Sequence, residues 1–151
     1  MGLERDWSGI HKEVHDRIIA INVGGCIVPI LLVVYEVLLI GSLYPEVLIP
    51  LTIAVLINVF VCYLLAEPVP QIGITLPTFI PGVIAASCAL LLAPTLAPPV
   101  AFCAGVLGPL IGADLMYLKK IRKTHVGIAS IGGAGTFDGI VISGLLAVLL
   151  A

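Results

Sequence analysis

GPLIGADLMYLKKIRK, residues 108–123, contains an acid, an apolar segment and a basic cluster within one helical length. It places Asp114 in an apolar segment, shortly before the basic cluster KKIRK at residues 119–123. A second aspartate, Asp138, follows in another apolar segment, IGGAGTFDGIVISGLL at residues 131–146. An ionisable side chain in a segment that crosses hydrocarbon costs several kcal/mol unless it is paired or hydrated. Two acids that enter the membrane from the same side in consecutive segments therefore predict one shared site.

The composition predicts a membrane protein with several spans. The chain has 151 residues, of which 60% are apolar and 11% are charged, and its mean hydropathy is +1.23. A soluble domain of this length has about 25% charged residues. The apolar residues form runs of about 20, the length that an α-helix needs to cross a bilayer. We expect a multi-pass protein of the cell membrane, surrounded by lipid.

The sequence carries no motif for a cofactor or a metal ion. The four cysteines all lie in apolar runs and lack the CxxC spacing of a metal or redox site. The glycine-rich GGAG stretch lacks the lysine that phosphate-binding loops require. We therefore expect no cofactor, no metal and no nucleic-acid partner.

Prolines and polar turns divide the chain into an N-terminal segment, residues 1–17, and a single transmembrane domain, residues 18–151. Proline ends helices because it has no N–H group to donate and because it restricts the residue before it. The expected fold class is all-α integral membrane, with about five transmembrane helices and a glycine-rich re-entrant or extended segment before the last helix. The predicted spans are 18–43, 47–65, 77–92, 99–118 and a last one from 127 or 136 to 151.

The basic residues predict the orientation of the chain. Three of them precede the first span, and the other four lie in the 119–123 cluster after the fourth span. An even number of crossings separates the two groups, so both fall on one side, and the positive-inside rule makes that side cytoplasmic. The N-terminus is thus expected in the cytoplasm. Residues 6–17 fit a short amphipathic surface helix anchored by Trp7, and a solvated tail fits them equally well.

Asp114 and Asp138 have three interpretations. As a catalytic dyad, two close carboxyl groups share one proton, so that one activates a water molecule and the other protonates the reacting carbonyl. As ion ligands, they bind a cation or a proton in a transporter, together with backbone carbonyl groups. As structural residues, Asp138 caps the start of the last helix and Asp114 pairs with the basic cluster.

Other residues are candidates to bind substrate or to support the aspartates. Tyr117 follows Asp114 by three residues on the same helical face. It either donates a hydrogen bond to that carboxylate or belongs to the aromatic belt at the membrane surface. Thr136 is a natural N-cap for a last helix that starts near it. The remaining candidates lie in irregular segments predicted on the cytoplasmic side: Asn22, Pro77, Gly132, Gly133 and Gly135.

Small and polar residues within the spans predict how the helices pack. Three glycines share one face of the fourth span and three small residues share one face of the fifth, which predicts a close approach. These residues are Gly105, Gly108, Gly112, Gly139, Ser143 and Ala147. Asn58 is expected to form a hydrogen bond between helices. Glu36 lies near the outer edge of the first span, where we expect it to reach outward or to cap a packing contact.

The stretches IGADLMYL and ASIGGAGTFDGIVISGLLAVLLA resemble the signature of an uncharacterised family of small prokaryotic membrane proteins with several spans. The resemblance covers most of residues 17–151 and is strongest from Gly105 onward. It implies a membrane protein and brings no activity with it.

The placement of the two aspartates is also similar to that in presenilins, signal peptide peptidases and prepilin peptidases. In those intramembrane aspartyl proteases one catalytic aspartate comes late in a span that descends to the cytoplasm, and the other follows a GxGD motif early in the next span. GAGTFD at residues 133–138 is similar to that glycine-rich motif. The chain departs from the pattern because TFD replaces GxGD, Ala113 replaces the tyrosine before the first aspartate, and no Pro-Ala-Leu segment follows.

Together these features predict an intramembrane aspartyl protease that uses Asp114 and Asp138 on a transmembrane peptide substrate. Two alternatives remain open. One is a small transporter or channel in which the aspartates bind a cation or a proton, and the other is a non-catalytic structural subunit. Because five short helices barely enclose a hydrated cavity, we also expect a homodimer.

Overall fold

The structure is a computed structural model of the chain. The described residues are 19–69, 73–77, 79–117, 129–131 and 139–151. The N-terminal segment 1–17, the basic cluster at 119–123 and residues 132–138 lie outside them. The division into an N-terminal segment and one membrane domain therefore stays a prediction.

Within these ranges the chain folds into five α-helices. They are α1 (Val28–Leu43), α2 (Leu48–Leu65), α3 (Phe79–Leu92), α4 (Ala97–Pro109) and α5 (Gly139–Leu150). Two of these helices are lengthened by π-helical segments. Val23–Ile27 leads into α1, and Leu110–Leu115 continues α4. The short 3-10 turns Pro45–Val47 and Pro94–Leu96 separate helices and begin with proline, which confirms its predicted role at helix ends.

Four short strands in the same ranges form two small sheets. They are β1 (Ile19–Ile21), β2 (Glu67–Val69), β3 (Gly73–Thr75) and β4 (Ala129–Ile131). β1 pairs with β4 in parallel, and β2 and β3 form an antiparallel hairpin between α2 and α3. Across this hairpin the hydroxyl of Thr75 donates to the carbonyl oxygen of Glu67 at 3.2 Å.

Three helical segments are long and apolar enough to cross a membrane: Val23–Leu43, Pro45–Leu65 and Pro94–Leu115. α3 and α5 are apolar but shorter, with 14 and 12 residues. At 1.5 Å per residue they measure about 21 and 18 Å, whereas the hydrocarbon core is about 30 Å thick. The apolar, helical character of the fold is thus confirmed, and five full spans remain a prediction.

The first predicted span begins too early, because β1 is extended and the helical segment starts only at Val23. Isoleucine favours strands, and β1 begins and ends with it. The backbone N–H group of Asn22 continues the pairing of β1 with β4 by donating to the carbonyl oxygen of Ile131 at 3.0 Å. The start of the first helix is therefore tied to the segment that precedes α5.

α4 is the central helix of the bundle and contacts α1, α2, α3 and α5. Many of its side chains are small, and those of Ala101, Cys103 and Ala104 are fully buried. Helices in a membrane gain little from the hydrophobic effect when they associate, so small residues that allow close van der Waals contact favour packing. The composition of α4 therefore explains its central position.

α2 meets α4 through a buried asparagine and two glycines. Asn58 is fully buried, and its Nδ2 donates to the carbonyl oxygen of Ala104 at 2.8 Å. A Cβ atom at Gly108 would collide with the side chain of Asn58, and one at Gly112 would collide with the carbonyl oxygen of Val59. The predicted interhelical hydrogen bond and the predicted glycine packing are both confirmed.

α5 packs against another side of α4 through small residues. A Cβ atom at Gly105 would lie 2.9 Å from the carbonyl oxygen of Ser143 and 3.0 Å from the Cβ of Ala147. From the α5 side, a Cβ atom at Gly144 would lie 2.7 Å from Cγ2 of Val106. Of the two predicted stripes, Gly105 therefore meets Ser143 and Ala147, whereas Gly108 and Gly112 face α2.

Gly108→Ala should destabilise the bundle, because the added methyl group takes the space of the Asn58 side chain and disturbs its hydrogen bond to Ala104. Overpacking and a lost buried hydrogen bond each cost about 1–3 kcal/mol. We expect the free energy of unfolding, measured in mixed micelles, to fall by about 2–4 kcal/mol.

Gly41→Ala is the matched control for this substitution. Its methyl group would meet only the side chain of Leu48, at 3.8 Å. The free energy of unfolding should fall by no more than about 0.5 kcal/mol. Equal losses for Gly41→Ala and Gly108→Ala would contradict the packing assigned to Gly108.

Candidate functional site

Asp114 lies in the π-helical segment Leu110–Leu115 that continues α4. Pro109 comes directly before this segment, cannot donate a backbone hydrogen bond, and has a ring that clashes with the preceding turn of a regular helix. A π-helical turn is wider than an α-helical turn, so it changes the direction of the side chains that follow, and such turns are frequent at functional sites. The local sequence thus gives the half-buried Asp114 an irregular position at the end of α4.

A cleft of about 250 Å³ opens beside Asp114. Its walls come from three elements that are distant in the sequence: the end of the β2–β3 hairpin, the end of α4 with its π-helical segment, and the first turn of α5. The lining residues are Ile74, Thr75, Leu76, Pro109, Ala113, Asp114, Gly139 and Ile140. A carboxyl group among mostly apolar side chains allows the cleft to bind the apolar part of a ligand and to exchange a proton with a polar group on it.

A small apolar cluster holds the hairpin against the end of α4. Ala66, Ala113 and Tyr117 are buried together, and Ile74 and Leu76 pack against them. Because Ile74 and Leu76 also line the cleft, the chain at and just after β3 is fixed along one side of it.

Tyr117 stabilises this end of the bundle through α2. Its side chain is only 8% exposed, and its hydroxyl donates to the carbonyl oxygen of Tyr63 at 3.1 Å. The centroids of the two tyrosine rings are 5.3 Å apart. The phenolic proton is therefore directed at α2, and the hydrogen bond to Asp114 stays a prediction. Tyr117 is also buried, whereas a tyrosine of the aromatic belt is expected to be exposed at the membrane surface.

Asn22 and Pro77 stabilise the starts of helices. The Oδ1 of Asn22 accepts hydrogen bonds from the backbone N–H groups of Gly24 and Gly25 at 3.0 and 3.2 Å, so it caps the first helical segment. Pro77 is exposed, and its carbonyl oxygen accepts the N–H of Ile80 at 3.3 Å at the start of α3. Neither Asn22 nor Pro77 lines the cleft beside Asp114.

The other predicted site residues lie outside the described residues: Gly132, Gly133, Gly135, Thr136 and Asp138. The distance between the carboxyl groups of Asp114 and Asp138 therefore stays a prediction. Gly139, which directly follows Asp138 in the sequence, does line the cleft.

Sequence reasoning missed the parts of the cleft that Thr75, Pro109 and Ile140 form. A proline inside a predicted span signals an irregular turn, so Pro109 carried a usable sign of the distortion beside Asp114. Thr75 and Ile140 carry no comparable signal, because their place at the cleft depends on how distant segments pack.

The fold and the cleft define the class of this protein. It is a small helical protein with three helices long and apolar enough to cross a membrane, and with an aspartate at a cleft beside one helix end. The chain belongs to the family described as protein of unknown function (DUF1614), which matches residues 2–150. This confirms the predicted relation to an uncharacterised family. No curated protein and no solved structure matches the chain.

Asn22→Ala should weaken the start of the first helical segment, because a methyl group cannot accept the hydrogen bonds of Gly24 and Gly25. Loss of an N-cap costs about 0.5–2 kcal/mol, so we expect the free energy of unfolding to fall by about 1 kcal/mol. Amide hydrogen exchange at Gly24 and Gly25 should become faster. Asn22→Ser keeps a capping oxygen and should behave like the wild type. If both variants match the wild type in both measurements, the capping role is wrong.

Proposed function

We propose that the protein is an intramembrane aspartyl hydrolase that cleaves a peptide bond in a membrane peptide, with Asp114 and Asp138 as its catalytic pair. The observation that carries this proposal is the cleft that Asp114 shares with the β2–β3 hairpin and the first turn of α5. The reaction takes place at the end of the bundle that the positive-inside rule assigns to the cytoplasm.

The first turn of α5 supports a role for Asp138 at this cleft. Gly139 lines the cleft, and the Cα atoms of consecutive residues are about 3.8 Å apart. Asp138 directly precedes Gly139 in the sequence, and on this proposal its carboxyl group acts in the same cleft as that of Asp114. Aspartyl dyads need a separation of about 3 Å.

Such a pair hydrolyses an amide without a covalent intermediate on the enzyme. One carboxylate accepts a proton from water, and the water oxygen attacks the carbonyl carbon. The other carboxyl group is protonated, because two like charges so close do not both ionise, and it donates its proton to the carbonyl oxygen. The tetrahedral intermediate then collapses, the C–N bond breaks, and the nitrogen takes up a proton. The water oxygen ends in the new carboxyl group.

The hairpin supports the choice of an extended peptide as substrate. In a helix the C=O and N–H groups of each peptide bond are engaged in hydrogen bonds, so a helical substrate must unwind before it reacts. Residues 74–76 lie along the cleft, and an exposed strand edge binds an extended peptide by strand addition. The cleft volume of about 250 Å³ is below the range of about 300–1,000 Å³ for pockets that hold drug-sized ligands. We therefore expect a short unwound stretch to enter.

Asp114→Asn and Asp138→Asn should each abolish hydrolysis, because a neutral amide cannot accept the proton of the attacking water. The assay places purified protein in liposomes with labelled single-span peptides, in water enriched in oxygen-18, and identifies products by mass spectrometry. Wild-type protein should yield fragments with one heavy oxygen in the new carboxyl group. Each variant should be slower by a factor of about 10³ or more.

Glu46→Gln is the matched control, because it neutralises an exposed acid in the turn before α2. It should cleave at the wild-type rate. Unfolding free energies of all variants show whether the fold is intact. Cleavage that persists in both aspartate variants would falsify the proposal.

A small transporter or channel is the second candidate, and the π-helical segment favours it. Such a segment interrupts the regular bonding of backbone carbonyl groups, and carbonyl groups of irregular helices bind cations in transporters. In this case Asp114 holds a cation or a proton and no bond is broken.

Liposomes loaded with a proton-sensitive or cation-sensitive dye separate the two candidates. Flux that falls in Asp114→Asn, without any peptide cleavage in the wild type, supports transport. Cleavage without flux supports the hydrolase. If neither occurs, the aspartates are structural residues, as the third interpretation of the sequence holds.

A further inference from the structure

A second polar site lies on α1, away from the cleft. Tyr35 and Glu36 are adjacent in the helical segment Val23–Leu43, which is long and apolar enough to cross a membrane. Glu36 comes seven residues before the end of that segment, which is about 10 Å along the helix. Its carboxyl group lies within electrostatic range of the Cys103 thiol on α4. Cys103 is eleven residues before Asp114, or about 16 Å, so the two acids are well separated.

Neither polar group has a hydrogen-bond partner among the described residues. In the part of the chain that the structure describes, the Tyr35 hydroxyl and the Glu36 carboxyl form no hydrogen bond and no ion pair. The Tyr35 side chain is 60% exposed, and Glu36 is half-buried at the edge of the α1–α4 contact. Neighbouring residues in a helix point in different directions, so Tyr35 and Glu36 cannot satisfy each other.

Lipid does not satisfy these groups either. Hydrocarbon offers no hydrogen-bond partner, and a polar group left alone in it costs several kcal/mol. Long Lys and Arg side chains escape this cost by reaching the membrane surface, but a glutamate side chain is much shorter than the distance of about 10 Å to the helix end. A polypeptide outside this chain is therefore the natural source of a partner.

The apolar residues around Tyr35 show what kind of partner fits. Much of the α1 surface is exposed, including Leu31, Val34 and Leu38. Within it, four exposed side chains around Tyr35 are spaced by four, three and four residues, as in the heptad pattern of a helix that packs along a second helix. They are Val28, Leu32, Tyr35 and Leu39. Glu36 flanks this seam on the side of the bundle. A seam of this kind indicates a helical partner that runs alongside α1.

We propose that the partner is a second copy of this chain, docked along the α1 seam. Two copies inserted with the same topology are related by a twofold axis, so their α1 helices run in parallel and equivalent residues lie at the same depth. In a twofold interface, if residue i contacts residue j, then j also contacts i. The Tyr35 hydroxyl of each copy then donates to the Glu36 carboxyl of the other.

Donor and acceptor complementarity favours a second copy over an unrelated protein. The seam carries a donor, Tyr35, and its flank carries an acceptor, Glu36, with a rise of about 1.5 Å between them. This surface is complementary to itself, and it satisfies both groups in both copies with two hydrogen bonds. This proposal does not rest on the proposed hydrolase activity, because the cleft lies at the C-terminal end of α4, away from Tyr35 and Glu36.

Tyr35→Phe tests the interface most directly, because it removes only the hydroxyl. Energy transfer between labelled copies in liposomes, measured as lipid dilutes the protein, gives the dimerisation constant. Interhelical hydrogen bonds in membranes average about 0.6 kcal/mol, so the loss of both should weaken dimerisation by about tenfold. Thr52→Val, which removes an exposed hydroxyl from α2, is the matched control and should have no effect.

Two substitutions at Glu36 separate its hydrogen bond from its charge. Glu36→Gln keeps an acceptor oxygen and should dimerise within about threefold of the wild type. Glu36→Leu loses the acceptor and should be weakened by about tenfold, like Tyr35→Phe. The double variant Tyr35→Phe with Glu36→Leu should be no weaker than either single variant, because both changes remove the same hydrogen bonds.

Cysteine cross-linking gives a readout that does not depend on affinity. Leu39→Cys lies on the seam and should form a disulfide with its equivalent in the second copy. Val34→Cys is exposed on the same helix but points elsewhere, so it should stay reduced. The native cysteines are buried or half-buried, which limits competing cross-links. A monomeric wild type, a Tyr35→Phe dimer as tight as the wild type, or cross-linking only through Val34→Cys would each overturn the proposal.

Discussion

The close approach of α4 to its neighbours is the constraint on which the rest of the structure depends. Apolar helices in lipid gain little from burying more apolar surface, so they associate where backbones come close and polar groups meet. α4 does both against α2, because glycines at 108 and 112 leave no side chain in the way and Asn58 donates across the contact. Gly105 allows the same closeness to α5. A larger residue at these positions separates the helices and with them the walls of the cleft.

The same constraint determines where an acid fits. In the residues before Pro109, α4 is regular and packed on several sides, so it leaves little space for a carboxyl group. In the residues after Pro109, the helical turn is a wider π-helical turn. Asp114 lies in this turn and lines a cleft whose other walls come from the hairpin and α5. Gly112 keeps this irregular segment against α2. The tight packing of α4 and the position of the open cleft therefore both depend on the residues from Pro109 to Asp114.

Local chemistry made the helices and their contacts predictable from the sequence. Proline marks the turns at 45 and 94, and glycine spacing marks the packed face of α4, since each effect acts within one helical turn. The pairing of β1 with β4 was not predictable, because the two strands are more than 100 residues apart in the sequence. Ile19–Ile21 also looks as apolar as the helix that follows. In the candidate site, Asp114 was predictable as an acid in a span, whereas the cleft around it depends on three distant segments.

The polar residues of the described spans differ in where their partners come from, and this difference is informative. Asn58 finds a backbone acceptor inside the bundle, so its role is complete within the fold. Asp114 lines a cleft whose other walls come from distant segments, so its surroundings depend on the whole fold. Tyr35 and Glu36 lie on a regular helix at the edge of the bundle, and no residue in the described part of the chain supplies them with a hydrogen bond. Among the described helices α1 contacts few besides α4, so most of its surface is exposed, as the proposed contact with a second copy requires.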